Sequence, residues 1–392
     1  MPPDEISKGG GGRFVPAARP VRVNNVRMSV VRVALVPGPG EPVELREVAE
    51  PELEPDSAML AVELSEVCGT DVHLQQGRLA GVPYPLVPGH VSVGRLEKIR
   101  GRLLDVDGRE FREGDRVTFL DVHRTCHACW HCLVAKASTR CPARKVYGIT
   151  YGLADTLAGG WAEKVYLKPG TRCISLEGVD AARFMAGGCA LPTALHAVER
   201  ADVPFGATVL VLGSGPVGLS AVALSLMRGA SRVLCTGAPD LRLKAARDMG
   251  AAATLDVTAH APEERAAWVL DETGGRGADV CIEATGSPAA VVEAMRYARD
   301  AGTVVVVGQY TDHGEVSFNP HRDLNRKHLD VRGCWGSDFS HFYRGARLMA
   351  DAARSEPWAR LELETYPLAR AGEALAAVAS ARVVKALIDP RA

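Results

Sequence analysis

The most constraining stretch of the chain is ATVLVLGSGPVGLSAVALSLMRGASRVLCTG, residues 207–237. An apolar run leads into a glycine-rich turn, then an apolar stretch long enough for a helix, then a second β-branched run. Gly213, Gly215 and Gly218 form G-x-G-x-x-G where strand gives way to helix, with Pro216 and Val217 between the last two glycines. The first glycine permits a tight turn, the second lets a pyrophosphate approach the backbone, and the third lets helix and strand pack closely. Alone the pattern is weak, but between a strand and a helix it predicts a dinucleotide site. The runs AATLDV, ADVCIEATG, GTVVVVGQY and LDVRGCWG then alternate with helical stretches such as DLRLKAARDMG and SPAAVVEAMRYARDAG. That alternation predicts an α/β unit with a doubly wound parallel sheet, bounded here at 181–336.

The 392 residues leave room for more than one unit, since a domain takes roughly 100–200 residues. Residues before 181 are richer in short β-like runs, glycine and proline. Residues 1–27, with SKGGGGR and little apolar pattern, are expected to form a flexible tail. They lack the apolar centre of a secretory signal, and no later stretch approaches the ~18 apolar residues of a membrane helix. A cytoplasmic location is expected. The formal charge of −1 gives no reason to expect nucleic acid or an anionic membrane as partner, so a small molecule is the expected one.

In a reducing compartment ten cysteines point to metal binding or burial rather than disulfides. Four of them, Cys126, Cys129, Cys132 and Cys141, fall within CHACWHCLVAKASTRC. Two-residue gaps let successive thiolates turn to one centre, so this lobe, 123–145, is expected to hold a structural Zn²⁺; an iron–sulfur cluster is the competing reading. His123, His127 and His131 interleave with the cysteines and are expected to be solvated.

Upstream, PLVPGHVSVGRL puts His90 after a Pro-Gly corner, where it could be a surface side chain or a metal ligand. LSEVCGTDVHLQQG gathers Cys68, Thr70, Asp71 and His73 on one short stretch. With CGTDVH, PGH, the cysteine lobe, GGWAEKV, GSGPVG and the closing VVKALIDP, the chain resembles the zinc-dependent medium-chain alcohol dehydrogenase family from about residue 30 to the end. The resemblance implies a Rossmann unit at 181–336, a mainly β, GroES-like catalytic unit over 28–180, and a return of 337–392 to that unit. It implies a catalytic zinc held by Cys68, His90 and Cys189, hence two Zn²⁺ per chain. It further implies hydride transfer between NAD(P) and an alcohol or carbonyl, a proton path through Thr70 and His73, and Asp71 orienting His90. Thr193 and Gly308 would approach the nicotinamide, and Lys385 the pyrophosphate. A homo-oligomer, dimer or tetramer, is expected.

One departure stands out: the family usually follows this histidine with glutamate, and here the residue is Val91, which bears on ligand exchange at zinc. A second concerns the cofactor. An acid usually ends the second strand of an NAD site, but Gly237 stands there, with Arg242 five residues on, so loose discrimination between NAD(H) and NADP(H) is expected. The substrate is expected to be a secondary alcohol, polyol or ketone, with Val122, His123 and Trp161 near the pocket. A non-catalytic zinc-binding scaffold is the alternative of a different class, and a zinc-free reductase of the same superfamily a third; retention of Cys68, His90, Cys189, Thr70 and His73 favours the enzyme.

Overall fold

The structure, a computed structural model, describes residues 29–392; the tail expected over 1–27 lies outside the described residues. Six parallel strands make one sheet, in the spatial order Ala253–Asp256, Arg232–Gly237, Thr208–Leu212, Ala278–Glu283, Ala298–Val306 and Asp330–Gly333. Val209, Leu210, Val211, Val233, Leu234, Cys281 and Ile282 are fully buried, as expected of strands covered by helices on both faces. The order reverses between Thr208–Leu212 and Ala278–Glu283, and ligands of such sheets sit outside the carboxyl ends of the strands at that switch point. Helix Pro216–Met227 leaves it with proline in its first turn and buries every residue from Gly218 to Ser225, so its unbroken apolar character reflects a position between layers.

The second sheet is mainly antiparallel. Its path runs Leu363–Pro367, Lys385–Asp389, Ser57–Val67, Ser92–Arg100, Arg116–Phe119 and Cys173–Ser175, with Lys164–Leu167 also on Ser57–Val67. The closing segment divides. Lys385–Asp389 pairs with the first unit, Ala386 opposite Val67, whereas the amphipathic helix Phe339–Ala350 lies on helix Ala190–Ala201, where Arg344 bonds Glu199 and His341 Nε2 lies 3.3 Å from Glu199 Oε2. Among the described residues no helix is long and apolar enough to cross a membrane.

Candidate active site

The strand Ser57–Val67 ends at Cys68, which is the N-cap of the short helix Gly69–Gln75. Asp71, three residues into the turn and 1% exposed, accepts from the Cys68 N–H at 2.8 Å and from the Gly89 N–H at 3.4 Å. One carboxylate thus ties the Cys68 turn to the Pro-Gly corner carrying His90. Gly89 has φ +86, and a Cβ there would lie 2.6 Å from the Trp161 ring, so the corner needs glycine on both counts. Cys189, at the start of helix Ala190–Ala201, completes a cluster in which a ligand atom from each of Cys68, His90 and Cys189 lies within 4.8 Å of the others. Two thiols and an imidazole on one cavity wall are the donor set of a catalytic zinc with one position left for water or substrate. The surroundings suit a cation: burial alone would lower the His90 imidazole, yet Cys68, Asp71, Asp121 and Glu66 outweigh it and push its pKa to about 9.

Glu66 stands behind this set. Its Oε2 accepts from the Cys189 N–H at 2.7 Å and its Oε1 lies 2.8 Å from Lys385 Nζ. Both side chains are 1% exposed. Gly188, φ +47, lies over the pair; a Cβ there would come within 2.2 Å of Glu66 Oε2 and 2.6 Å of Lys385 Nζ.

Cys68, His90 and Cys189 line a cavity of about 260 Å³ that also receives Gly215, Pro216 and Val217 from the glycine turn and Thr193 and Gly308. Gly213 has φ +114, and a Cβ on Gly218 would sit 1.8 Å from the Gly213 oxygen, while one on Gly215 would meet nothing within 4 Å. The first and third glycines are therefore required by the turn and its packing, and the second leaves the backbone open to a ligand. Thr70 and His73, one helical turn apart, line the same cavity. The His73 Nδ1 is buried without a hydrogen-bond partner among the described residues, and burial, then His313 and Arg78, hold its pKa below the ordinary value.

A distinct cluster gathers Cys126, Cys129, Cys132 and Cys141, again within 4.8 Å of one another, with Cys141 Sγ 3.5 Å from Cys126 Sγ. Thiolates bound at 2.3 Å to one tetrahedral ion would sit about 3.8 Å apart, so the spacing fits a single ion rather than a cluster of irons and sulfides.

Comparison with known proteins decides the family. Residues 54–178 match the alcohol dehydrogenase GroES-like domain and residues 216–351 the zinc-binding dehydrogenase domain. A 5-exo-hydroxycamphor dehydrogenase of Pseudomonas putida is 31% identical over 338 residues, 86% of this chain and 92% of that protein. The chain belongs to the zinc-dependent medium-chain alcohol dehydrogenase family. An alcohol dehydrogenase of Thermotoga maritima superposes with a TM-score of 0.85 at 30% identity, covering 92% of this chain and 99% of that one. A candidate zinc-binding dehydrogenase of Sinorhizobium meliloti 1021, solved bound to NADP, gives 0.79 at 27% identity over 92% of this chain and 100% of its own. As a member of this family the chain is an oxidoreductase.

Within the family pattern several expected residues stand elsewhere. Lys385 is committed to Glu66 and to the Ala186 carbonyl at 3.2 Å; an ammonium sealed in this way is not presented to a pyrophosphate. Asp71 Oδ1 is 4.0 Å from His90 Nδ1, outside hydrogen-bond range, so it orients His90 through the Gly89 backbone instead. A Cβ on Gly308 would strike Gly286 N at 2.5 Å and Glu283 Oε1 at 2.6 Å, so protein packing already demands that glycine. Gly237 has no room for a side chain: its Cβ would lie 2.2 Å from Ser214 Oγ in the glycine turn. Arg242 donates to the Val383 carbonyl at 3.3 Å instead of standing free at the strand end.

Trp161 is fully buried and donates to the Glu66 carbonyl at 3.0 Å; it backs the site without lining it. Val122 and His123 line a neighbouring cavity. His123 is not solvated, since its ring nitrogens contact Tyr151 Oη at 2.5 Å and the Pro169 carbonyl at 3.0 Å. The sequence reading missed Asp121, Arg144, Tyr310 and Trp335, which do line the reaction cavity, and Glu66. Glu66 had only a weak signal, being one of two acids, with Glu63, in the largely apolar strand Ser57–Val67. Its backbone N–H donates to the Val91 carbonyl at 3.0 Å, while its carboxylate is engaged by the Cys189 N–H and Lys385.

Proposed function

We propose that this chain transfers hydride between NAD(P) and a secondary alcohol, polyol or ketone, with zinc held by Cys68, His90 and Cys189 and a second, structural zinc in the four-cysteine lobe. The observation that supports the reading is that this ligand set and the glycine turn line one cavity. When bound, zinc supplies Lewis-acid polarisation of the substrate oxygen and the nicotinamide supplies the hydride site. The chain's own part is to orient the substrate, exclude water and move a proton: the Thr70 hydroxyl meets the substrate hydroxyl, and His73, neutral near pH 7, takes the proton onward to solvent. The open Gly215 backbone receives the pyrophosphate. The lack of an acid at Gly237 and the NADP in the Sinorhizobium relative support acceptance of both cofactors. The division at residue 180, the homo-oligomer and the cytoplasmic location belong to the same proposal.

Metal analysis and a substrate panel followed by nicotinamide absorbance test it. The expected result is two zincs per chain, one of them lost in Cys68→Ser together with turnover of secondary alcohols or polyols. One zinc unaffected by Cys68→Ser would overturn the ligand assignment, and strong preference for short primary alcohols would overturn the substrate reading.

A further inference from the structure

We propose that the substrate carries an anionic group, a carboxylate or a phosphate monoester, bound by Arg144 at the throat between the reaction cavity and an outer vestibule. This deepens the dehydrogenase reading and rests on it. The vestibule is a cavity of about 550 Å³, and Arg144 and Ser337 line both it and the reaction cavity. Its wall also carries Arg124 and Arg172, and none of the three arginines ion-pairs with a carboxylate within 4.0 Å among the described residues. Elsewhere such pairing is common, as in Arg116 with Glu63 and Arg265 with Glu293. Asp338, the acid in this wall, is engaged by His341, whose Nδ1 lies 2.7 Å from it.

Arg144 is the built part of the site. Its Nε is buried without a hydrogen-bond partner among the described residues, an arrangement that is unfavourable unless something accepts from it. What holds the guanidinium is aromatic: it lies 5.6 Å from the centre of the Trp335 ring, Arg140 lies 4.9 Å from the same ring, and Trp335 stacks on Tyr310 at 5.6 Å and 15°. Cation–π contact fixes such a fork without neutralising it, and an arginine so held matches a carboxylate or phosphate with two parallel bonds. Asp121 also lines the reaction cavity, without an ion pair to Arg144, and suits a substrate hydroxyl as donor to its oxygens. A hydroxylated anion satisfies both groups.

The test uses the zinc-loaded full chain and matched compounds: glycerol, glycerate and glycerol 3-phosphate, then sorbitol, gluconate and sorbitol 6-phosphate. Calorimetric titration and steady-state kinetics are run on each set. In at least one set an anionic member is expected to bind and turn over at least tenfold better than its neutral partner, the winner telling carboxylate from phosphate. Added salt should erode that ratio. Arg144→Gln should bring it near one, and Arg144→Lys should recover part of it. Anionic members that bind no better than neutral ones in every set, or a ratio unchanged in Arg144→Gln, would overturn the inference whether or not turnover is seen. Absence of turnover with every compound would count against the dehydrogenase reading alone.

Discussion

Lys385 Nζ lies 2.8 Å from Glu66 Oε1, with both side chains 1% exposed, directly beneath the backbone N–H of Cys189 that Glu66 also binds. Removing one partner of such a pair leaves an uncompensated buried charge, at a cost of about 3–5 kcal/mol, whereas removing both is nearly neutral. Lys385→Met should therefore lower the denaturation midpoint strongly, and Lys385→Met with Glu66→Gln should recover most of the loss. Cofactor affinity of the double variant, measured by fluorescence titration, should stay within about threefold of wild type, because Lys385 is not presented to the pyrophosphate; a drop of ~1.4 kcal/mol or more, which is tenfold in affinity, would return Lys385 to that role.

The proposed relay has a pH signature. His73 is held below its ordinary 6.5 by burial and by His313 and Arg78, so it is neutral and able to accept a proton at pH 7. Alcohol oxidation should be flat above pH 6.5 and fall only as pH drops through the depressed value. His313→Gln removes one of the groups that hold His73 down and should move that fall to higher pH, while His73→Ala should lose the limb and about a hundredfold in rate. An unmoved profile in both variants would exclude His73 from the proton path.

Cofactor choice should resist the simplest redesign. Gly237→Asp would restore the acid usual in NAD sites, but its Cβ would fall 2.2 Å from Ser214 Oγ and 2.8 Å from Ser214 N. The turn must move, so affinity for NAD(H) and NADP(H) should fall together, by roughly tenfold or more. Wild-type preference between the two is expected within about a hundredfold. Steady-state kinetics with both cofactors checks each statement.

The four-cysteine lobe should fail independently of the reaction centre. Backbone N–H groups of Ala128 and Cys129 point at Cys126 Sγ and, with the neighbouring thiols, bring its pKa down to about 6, so a metal-ready thiolate is present at neutral pH. Cys126→Ser should cost one zinc per chain, lower Tm by at least ~5 °C, and open residues 123–145 to limited proteolysis; Cys68→Ser should leave that segment protected. Cleavage at equal rates in both variants would contradict the assignment.

What could be read from the chain alone divides by the range of the interaction. The turn at Gly213–Gly218 and the alternation after it are local, and the sheet formed where they predicted. Cys68, His90 and Cys189 come together from three places, and they were found because each sits in a short recognisable setting. Lys385 and His123 were misread because the fate of each depends on a partner far along the chain: Glu66 draws the lysine inward, and Tyr151 with Pro169 takes both nitrogens of the imidazole. Arg144 was passed over because an unpaired arginine looks the same in sequence as a paired one.

Cys189 opens a helix packed in the nucleotide-binding unit, while Cys68 follows one strand of the other sheet and His90 precedes another. An ion held by all three is consequently a rivet across the seam between the two units. Any tilt of the helix Ala190–Ala201 that accompanies dinucleotide binding alters the fit of the third donor, and by linkage the ion must alter dinucleotide affinity by the same factor. With zinc held there and such a tilt, metal retention and cofactor occupancy would be one equilibrium read at two places.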